Sequence, residues 1–324
     1  MSKKISVISI IFVVWTVWLA YLGLGGAIEY LVSNWEIVLT MSFGSVVAGA
    51  TSIGGGAVAF PVFTKVLHIP PYEAKVFSLA IQSVGMGAAS LTIYLTGIKV
   101  EWRVIRWGSL GGVVGIYLGL NFLAPLLPPD VIKMSFTVML ASFAITLFAL
   151  NRGVNKRHSS LFVWTFHEKS ILFMAGLAGG LMSALAGTGI DIVVFSVMVL
   201  LFRISEKIAT PTSVILMAIN AAVGFLMQVF ILQDFAEPVH SYWLATIPVV
   251  IVGAPLGAIL CSMFRRETIV NILIFLILIE MLSSLLIISL RPLVVYSSLI
   301  TLILSCFFYY WMYRTRIYQK LEAT

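Results

Sequence analysis

The sequence predicts an all-α polytopic membrane protein made of two inverted repeats, and three observations carry that expectation. Hydrophobic residues make up 60% of the 324 and charged residues only 10%, with a mean hydropathy of +1.08. Such a chain has too little polar surface to cover a soluble fold of its size. Apolar runs of membrane-spanning length recur from one end to the other. Two further apolar stretches are broken by glycine at corresponding places: Thr51-Ser52-Ile53-Gly54-Gly55-Gly56 within 36–66, and Ala186-Gly187-Thr188-Gly189-Ile190-Asp191 within 171–202. Each glycine weakens a helix by roughly 1 kcal/mol relative to alanine, and open backbone at bilayer depth persists only where protein or a cavity surrounds it. Paired breaks in the two halves of a membrane protein therefore point to a binding site.

Taken in order, Lys3-Lys4 precedes an apolar run over 5–24 that has the layout of a signal peptide. The run exceeds the usual signal core of about 7–15 residues and more spans follow it, so it reads as the first transmembrane helix, within an N-terminal segment 1–35. Repeat one occupies 36–150, with the first broken stretch and then spans at 76–97, 104–127 and 131–150. A basic linker, 151–169, leads into repeat two, 170–290, with the second broken stretch and spans at 208–232, 241–264 and 268–290. A last span, 292–313, lies in a C-terminal segment, 291–324, that ends in a basic tail.

The broken stretches either cross the membrane, unwound midway, or re-enter, and the placing of positive charge discriminates between these. If both cross, 12 of the 20 Lys and Arg fall on the cytoplasmic side, and the cluster Arg152, Lys156, Arg157 and Lys169 falls outside. If both are hairpins that leave by the face they entered, 16 fall inside and 4 outside. The hairpin arrangement is preferred: eight true crossings, both termini cytoplasmic, in the inner (plasma) membrane. Three crossings per repeat make the second copy inverted relative to the first. The duplication is visible in the residues. Positions 52–56 align with 187–191, Pro61 with Ser196, and Ala74-x-x-x-Ser78 with Ala209-x-x-x-Ser213, all at an offset of 135; Gly115-x-x-x-Gly119 matches Gly253-x-x-x-Gly257 at 138.

A glycine-rich break, an Ala-x-x-x-Ser element about 20 residues on, and a Gly-x-x-x-Gly helix, in that order in both halves, resemble the sulfite exporter TauE/SafE family of membrane permeases over about 36–290. The resemblance implies movement of small, often sulfur-containing anions such as sulfite, sulfoacetate or related organosulfonates across the bacterial inner membrane. Two residues depart from the family pattern. Asp191 follows the second break where a run of glycines is usual, and Lys75 stands in the first Ala-x-x-x-Ser element where a small residue is usual. Both bring charge to the expected site and leave the identity of the substrate open.

The residues at the breaks suit an anion. A half-helix starting near Gly54, Gly55 and Gly56 offers unpaired N–H groups and partial positive charge, and glycine lets an oxyanion reach the backbone. Thr51, Ser52 and Thr188 add hydroxyl donors, and Gly187 and Gly189 repeat the arrangement in the second half. Close helix packing is the competing explanation, and it is favoured for Gly111, Gly115, Gly119, Gly253 and Gly257. Ser78, Gln82, Gly85 and Ala89 share one helical face, with Ser213, Met217, Asn220 and Gly224 as their counterpart. Among these, Ser78, Gln82, Ser213 and Asn220 are candidate donors to a substrate, or else ordinary interhelical hydrogen bonds.

Lys75 heads the first stripe. With Lys65 it flanks the outer mouth, as Arg203 and Lys207 flank the inner one, positions suited to concentrating anions or to interfacial anchoring. Asp191 and Glu280 are carboxylates well inside apolar segments, which makes them candidates for a coupling proton or another coupling ion. The alternatives are an N-cap for Asp191 and a buried partner of a base for Glu280.

No catalytic triad, carboxylate pair, phosphate loop or metal-ligand pattern appears in the sequence, and His68, His158, His167 and His240 stand at unrelated spacings. No enzyme activity, cofactor or metal is expected. Cys261 and Cys306 lie in apolar segments without a ligand pattern. The formal charge of +7 is spread in small clusters between apolar runs, so membrane orientation accounts for it and nucleic acid does not. The expected partners are a small anionic substrate, the lipid bilayer, a coupling proton or other ion, and a second copy in a homo-oligomer. The expected function is secondary transport by alternating access; an anion channel, and a non-transporting membrane enzyme or assembly factor, are the alternatives.

Overall fold

The computed structural model describes residues 3–52, 62–151, 158–161, 163–289 and 291–315. The described residues are nearly all helical, as the composition requires, because in lipid a backbone must satisfy its own hydrogen bonds. In order the helices are α1 (Lys3–Ser33), α2 (Trp35–Ala50), α3 (Pro71–Thr96), α4 (Trp102–Leu118), α5 (Pro129–Asn151), α6 (Phe166–Ala186), α7 (Ile190–Ser196), α8 (Glu206–Met227), α9 (Val239–Met263), α10 (Arg266–Ile287) and α11 (Pro292–Arg314). Local chemistry sets many of the ends. Pro71 and Pro292 stand at the first turn of their helices, where a missing N–H costs nothing. Thr165 and Glu168 form a capping box at the start of α6. Gly97, in the left-handed region at φ 73°, closes α3.

Among the described residues, nine helices are long and apolar enough to cross a membrane. One of them, α6, is followed by a reversal. Ile190 N–H donates to Ser183 Oγ at 3.0 Å, and a Cβ on Gly179 would stand 2.6 Å from Ile190 Cα, so α7 runs back along α6. The return leg continues through a π-turn, Val197–Leu201, to Arg203, whose carbonyl accepts from His158 N–H at 2.9 Å; Ser205 N–H donates to the His158 carbonyl at 2.9 Å. His158 precedes α6, so the chain leaves at the end by which it entered. The second broken stretch is a helical hairpin, and among the described residues eight further helices are long and apolar enough to cross. In the first broken stretch Gly54, Gly55 and Gly56 lie outside the described residues. After them a π-turn, Val62–Val66, returns the chain, and Phe63 and Ile69 pack in one cluster with Ile37 and Met41 near the start of α2.

The two return legs share their backbone hydrogen bonds. Leu67 N–H donates to the Val62 carbonyl and Ile69 N–H to that of Phe63; 135 residues on, Phe202 donates to Val197 and Ile204 to Met198. Even the one strained residue recurs, since His68 (φ 54°) and Arg203 (φ 57°) both take the left-handed conformation that non-glycine residues seldom adopt.

Packing crosses between the halves. A Cβ on Gly111 of α4 would lie 1.9 Å from the Phe173 carbonyl oxygen of α6, and one on Gly257 of α9 would lie 2.1 Å from that of Val46 in α2. Each hairpin's first leg is thus pressed, backbone to backbone, onto the glycine helix of the other half. The crossing of α3 with α8 forms the middle of the bundle, and α5 pairs with α10 beside it. Two helices lie outside this core. α1 hangs on α9, where the indoles of Trp15 and Trp18 donate to the carbonyls of Pro248 (3.1 Å) and Leu244 (2.8 Å). α11 covers α5, with Tyr309 edge-on to Phe143. Their outer faces carry exposed apolar side chains, Phe12, Leu24, Leu304 and Phe307 among them, as lipid contact demands.

Candidate functional site

The second hairpin tip lies against α3. Gly187 ends α6 at φ 78°, and a Cβ there would stand 2.7 Å from Ser78 Cβ, so both backbone conformation and space call for glycine. Its carbonyl accepts hydrogen bonds from Ser78 Oγ at 3.1 Å and from Gln82 Nε2 at 2.9 Å. Gln82 Nε2 also stands 2.7 Å from Ser78 Oγ, which makes a tight three-membered polar knot between a membrane helix and a loop at bilayer depth. Gln82 Oε1 is buried and has no hydrogen-bond partner.

The N–H groups of the tip are already satisfied. Asp191 Oδ1 accepts from Gly189 N–H (3.1 Å) and Ile192 N–H (3.0 Å), and the Thr188 hydroxyl points at the same carboxylate from 3.4 Å. Ser183 takes the Ile190 N–H. The expected cradle of open N–H groups is therefore closed at Gly189, Ile190 and Ile192, because the Asp191 carboxyl and the Ser183 hydroxyl supply the acceptors at the start of α7. At the first break Thr51 Oγ1 donates to the Val47 carbonyl of its own helix at 2.9 Å, and Ser52 is wholly buried.

A small cavity opens beside the second tip, of about 80 Å³, lined by Tyr72, Lys75, Lys133 and Leu185 together with Pro71, Pro129 and neighbouring apolar residues. Lys75 is only 8% exposed, and its ammonium sits 5.0 Å from the centre of the Tyr72 ring. Tyr72 in turn hydrogen-bonds Asp234 from the loop between α8 and α9. At the other end of the bundle a wider cavity, of about 400 Å³, is lined by Lys99, His158, Ser159, Ser205, Lys207 and Ser262. It shares Ile98, Lys207 and Ser262 with a narrow cleft that reaches Gly49 and Pro211, close to the end of α2. Arg203 is buried rather than set at this mouth, and the side chain of Lys65 lies outside what is described.

Of the residues singled out in the sequence, the fold gathers Lys75, Ser78, Gln82, Gly187, Thr188, Gly189 and Asp191 around the second tip. Ser213 is elsewhere and donates to the Thr210 carbonyl of its own helix at 2.8 Å. Asn220, 1% exposed, faces Gly112 and Ile190 with neither amide atom hydrogen-bonded. Glu280 belongs to the α5–α10 interface, where Oε1 accepts from Thr137 Oγ1 (3.2 Å) and Ser284 Oγ (3.0 Å). Three residues of the site escaped the sequence reading: Tyr72, Lys133 and Asp234. Lys133 did leave a signal. It is one of the four cations, with Lys65, Lys75 and Arg291, that the charge count leaves on the sparsely basic face.

The sequence profile described as Sulfite exporter TauE/SafE matches residues 37–286, which takes in both hairpins and every crossing between them. The chain belongs to the sulfite exporter TauE/SafE family. It is a multi-pass integral membrane protein of a transporter family. Among TauE/SafE-like curated proteins it is similar to the Probable membrane transporter protein YunE of Bacillus subtilis (strain 168), 24% identical over 267 residues, which covers 73% of this chain and 91% of that one. No solved structure matches. The family resemblance read from the motifs is thus borne out, along with the all-α polytopic fold.

Proposed function

We propose that this TauE/SafE protein is a secondary transporter of small, sulfur-containing oxyanions, built as two inverted repeats that open alternately to the two lysine-lined vestibules. The observation that carries the reading is the grip of Ser78 and Gln82 on the Gly187 carbonyl, one turn from Lys75 and its cavity. A peptide carbonyl and an oxyanion present the same acceptor to these donors, and the anion binds them more strongly. A substrate entering beside Lys75 takes over the Ser78 and Gln82 donors, releases the tip and so opens a way past it. The unbonded amide of Asn220 provides the next donor inward. The recurring return legs and the crossed glycine packing support two related halves that move against each other.

In this reading the basic end, with Lys99, Arg103, Lys169 and Lys207, faces the cytoplasm together with both termini, and the membrane is the inner membrane. Asp191 is a tip cap, and proton coupling falls to Glu280. The relative's printed description as a probable transporter agrees with this class. The test is counterflow of labelled sulfite in proteoliposomes of the wild type and of Gln82→Leu. Saturable counterflow that falls at least tenfold in the variant, roughly 1.4 kcal/mol or more, is the expected result. Unitary conductance in planar bilayers would replace the carrier with a channel.

A further inference from the structure

We infer that Lys133 is a second anion-binding cation of the small cavity, and that the buried Glu280 behind it makes anion binding there depend on a proton. The inference rests on the transporter reading for its role but on separate residues for its site.

The cavity brings Lys75 of α3 and Lys133 of α5 to one space of about 80 Å³. A water molecule occupies roughly 30 Å³ in the liquid. The space therefore has room for a small oxyanion. Lys133 is also the point where the cavity meets a buried polar cluster. The next turn of α5 carries Thr137, whose hydroxyl lies within hydrogen-bond distance of the Lys133 carbonyl and of Glu280 Oε1, and Ser284 of α10 completes the group. Lys133 feels the charges of both Asp130 and Glu280. Val131, Met134, Ile288 and Val294 form an apolar cluster on the neighbouring turns of these segments. On the other elements packed here, α8 carries charge only at Glu206 and Lys207, at the basic end.

The charges around the cavity are the cations Lys75 and Lys133 and the carboxylates Asp130, Glu280 and Asp234, the last hydrogen-bonded by Tyr72. An ionised Glu280 offsets part of the positive charge that Lys75 and Lys133 bring to the cavity, and an arriving anion then meets a weaker attraction. A proton on Glu280 removes that offset and leaves the charge of Lys75 and Lys133 to the arriving anion. In a site of low dielectric that single charge outweighs any rearrangement of neutral donors. Anion and proton then bind together, which is what an ion-coupled carrier requires.

The experiment measures sulfate binding to the purified full-length protein in lipid nanodiscs by calorimetry. Sulfate keeps its charge across the range, so any slope belongs to the protein. The wild type is expected to bind about tenfold more tightly near pH 5 than near pH 8. Lys133→Met should weaken binding at least tenfold at the lower pH, and Lys133→Arg should restore most of it. Glu280→Gln should bind tightly at both values with the slope gone. Because Lys133→Met strands a buried carboxylate, the double variant Lys133→Met/Glu280→Gln serves as the folded control, with weak, pH-independent binding expected. Wild-type affinity in the double variant, or a wild-type slope in Glu280→Gln, overturns the inference. The binding pattern without any sulfite counterflow would remove the transporter reading and leave the site standing.

Discussion

At the second hairpin tip, side chains of α3 hold the loop: Ser78 and Gln82 both donate to Gly187. The matching face of α8 carries Ser213 and Met217 at those two positions, and its amide, Asn220, comes three residues later, where α3 has Gly85. Ser213 turns to its own helix, and Asn220 stands beside Ile190 of the second hairpin. Both amides of the paired stripes lie by the second hairpin, but only Gln82 bonds it. The two return legs match, down to the π-turns and the left-handed residues after them, but the polar side chains of α3 and α8 do not. The hairpin that Lys75 faces is the gripped one.

The largest effects should come from breaking what the halves share. Gly111→Leu and Gly257→Leu each drive a side chain into a carbonyl about 2 Å away in the partner hairpin. Each should cost about 3 kcal/mol or more, read as a loss of the monodisperse fraction and a fall in Tm. A near-normal Tm for just one of them would show that the two crossed interfaces are not equivalent. The next pair separates grip from substrate contact. Gln82→Leu removes a donor from a buried carbonyl and should destabilise by about 1 kcal/mol, whereas Asn220→Leu removes an unbonded buried amide and should leave Tm unchanged or raised. Both should lose at least tenfold in sulfite counterflow, or about 1.4 kcal/mol. Full activity in Asn220→Leu would remove that residue from the substrate path.

Smaller effects sharpen the comparison further. Asp191→Asn keeps an acceptor for the Gly189 and Ile192 N–H groups, so a loss under about 1 kcal/mol and an unchanged pH slope of counterflow are expected. Disappearance of that slope would return proton coupling to the tip. The least effect lies in the loop before α9. There the Ser241 hydroxyl and backbone bond Glu237 and hold its carboxyl below the ordinary glutamate range. A depressed folded-state value stabilises above the unfolded one and is lost as pH falls through it, so Glu237→Gln should flatten a slight acid lability below about pH 4. Its exposure keeps the change within a few tenths of a kcal/mol. An acid transition identical in the variant would show that the bonds at Glu237 add nothing.

Much of this was legible because membrane folds write their constraints along the chain. Apolar length placed the crossings, and the segregation of Lys and Arg chose hairpins, which the return of Arg203 to His158 displays directly in the second half. The glycine spacing placed the backbone contacts of α4 and α9. What stayed hidden depends on pairs that only packing creates. Lys75 and Lys133 are far apart in sequence and meet because α3 and α5 both begin beside the second tip. At that tip the sequence left Asp191 with two roles, a coupling carboxyl or a cap, and the local hydrogen bonds follow the second. A carboxylate two residues past a glycine can fold back onto the N–H groups it was expected to repel an anion from, and Asp191 does so.

The crossed glycine packing also constrains how the chain is made. The face of α2 that meets α9 has no backbone partner until α3 to α8 have all been synthesised and inserted, and a half produced alone would leave its hairpin's small-residue face open to lipid. Neither repeat is a self-sufficient module. Co-expressed halves should complement one another in the membrane, and a single half should be left to the cell's quality control.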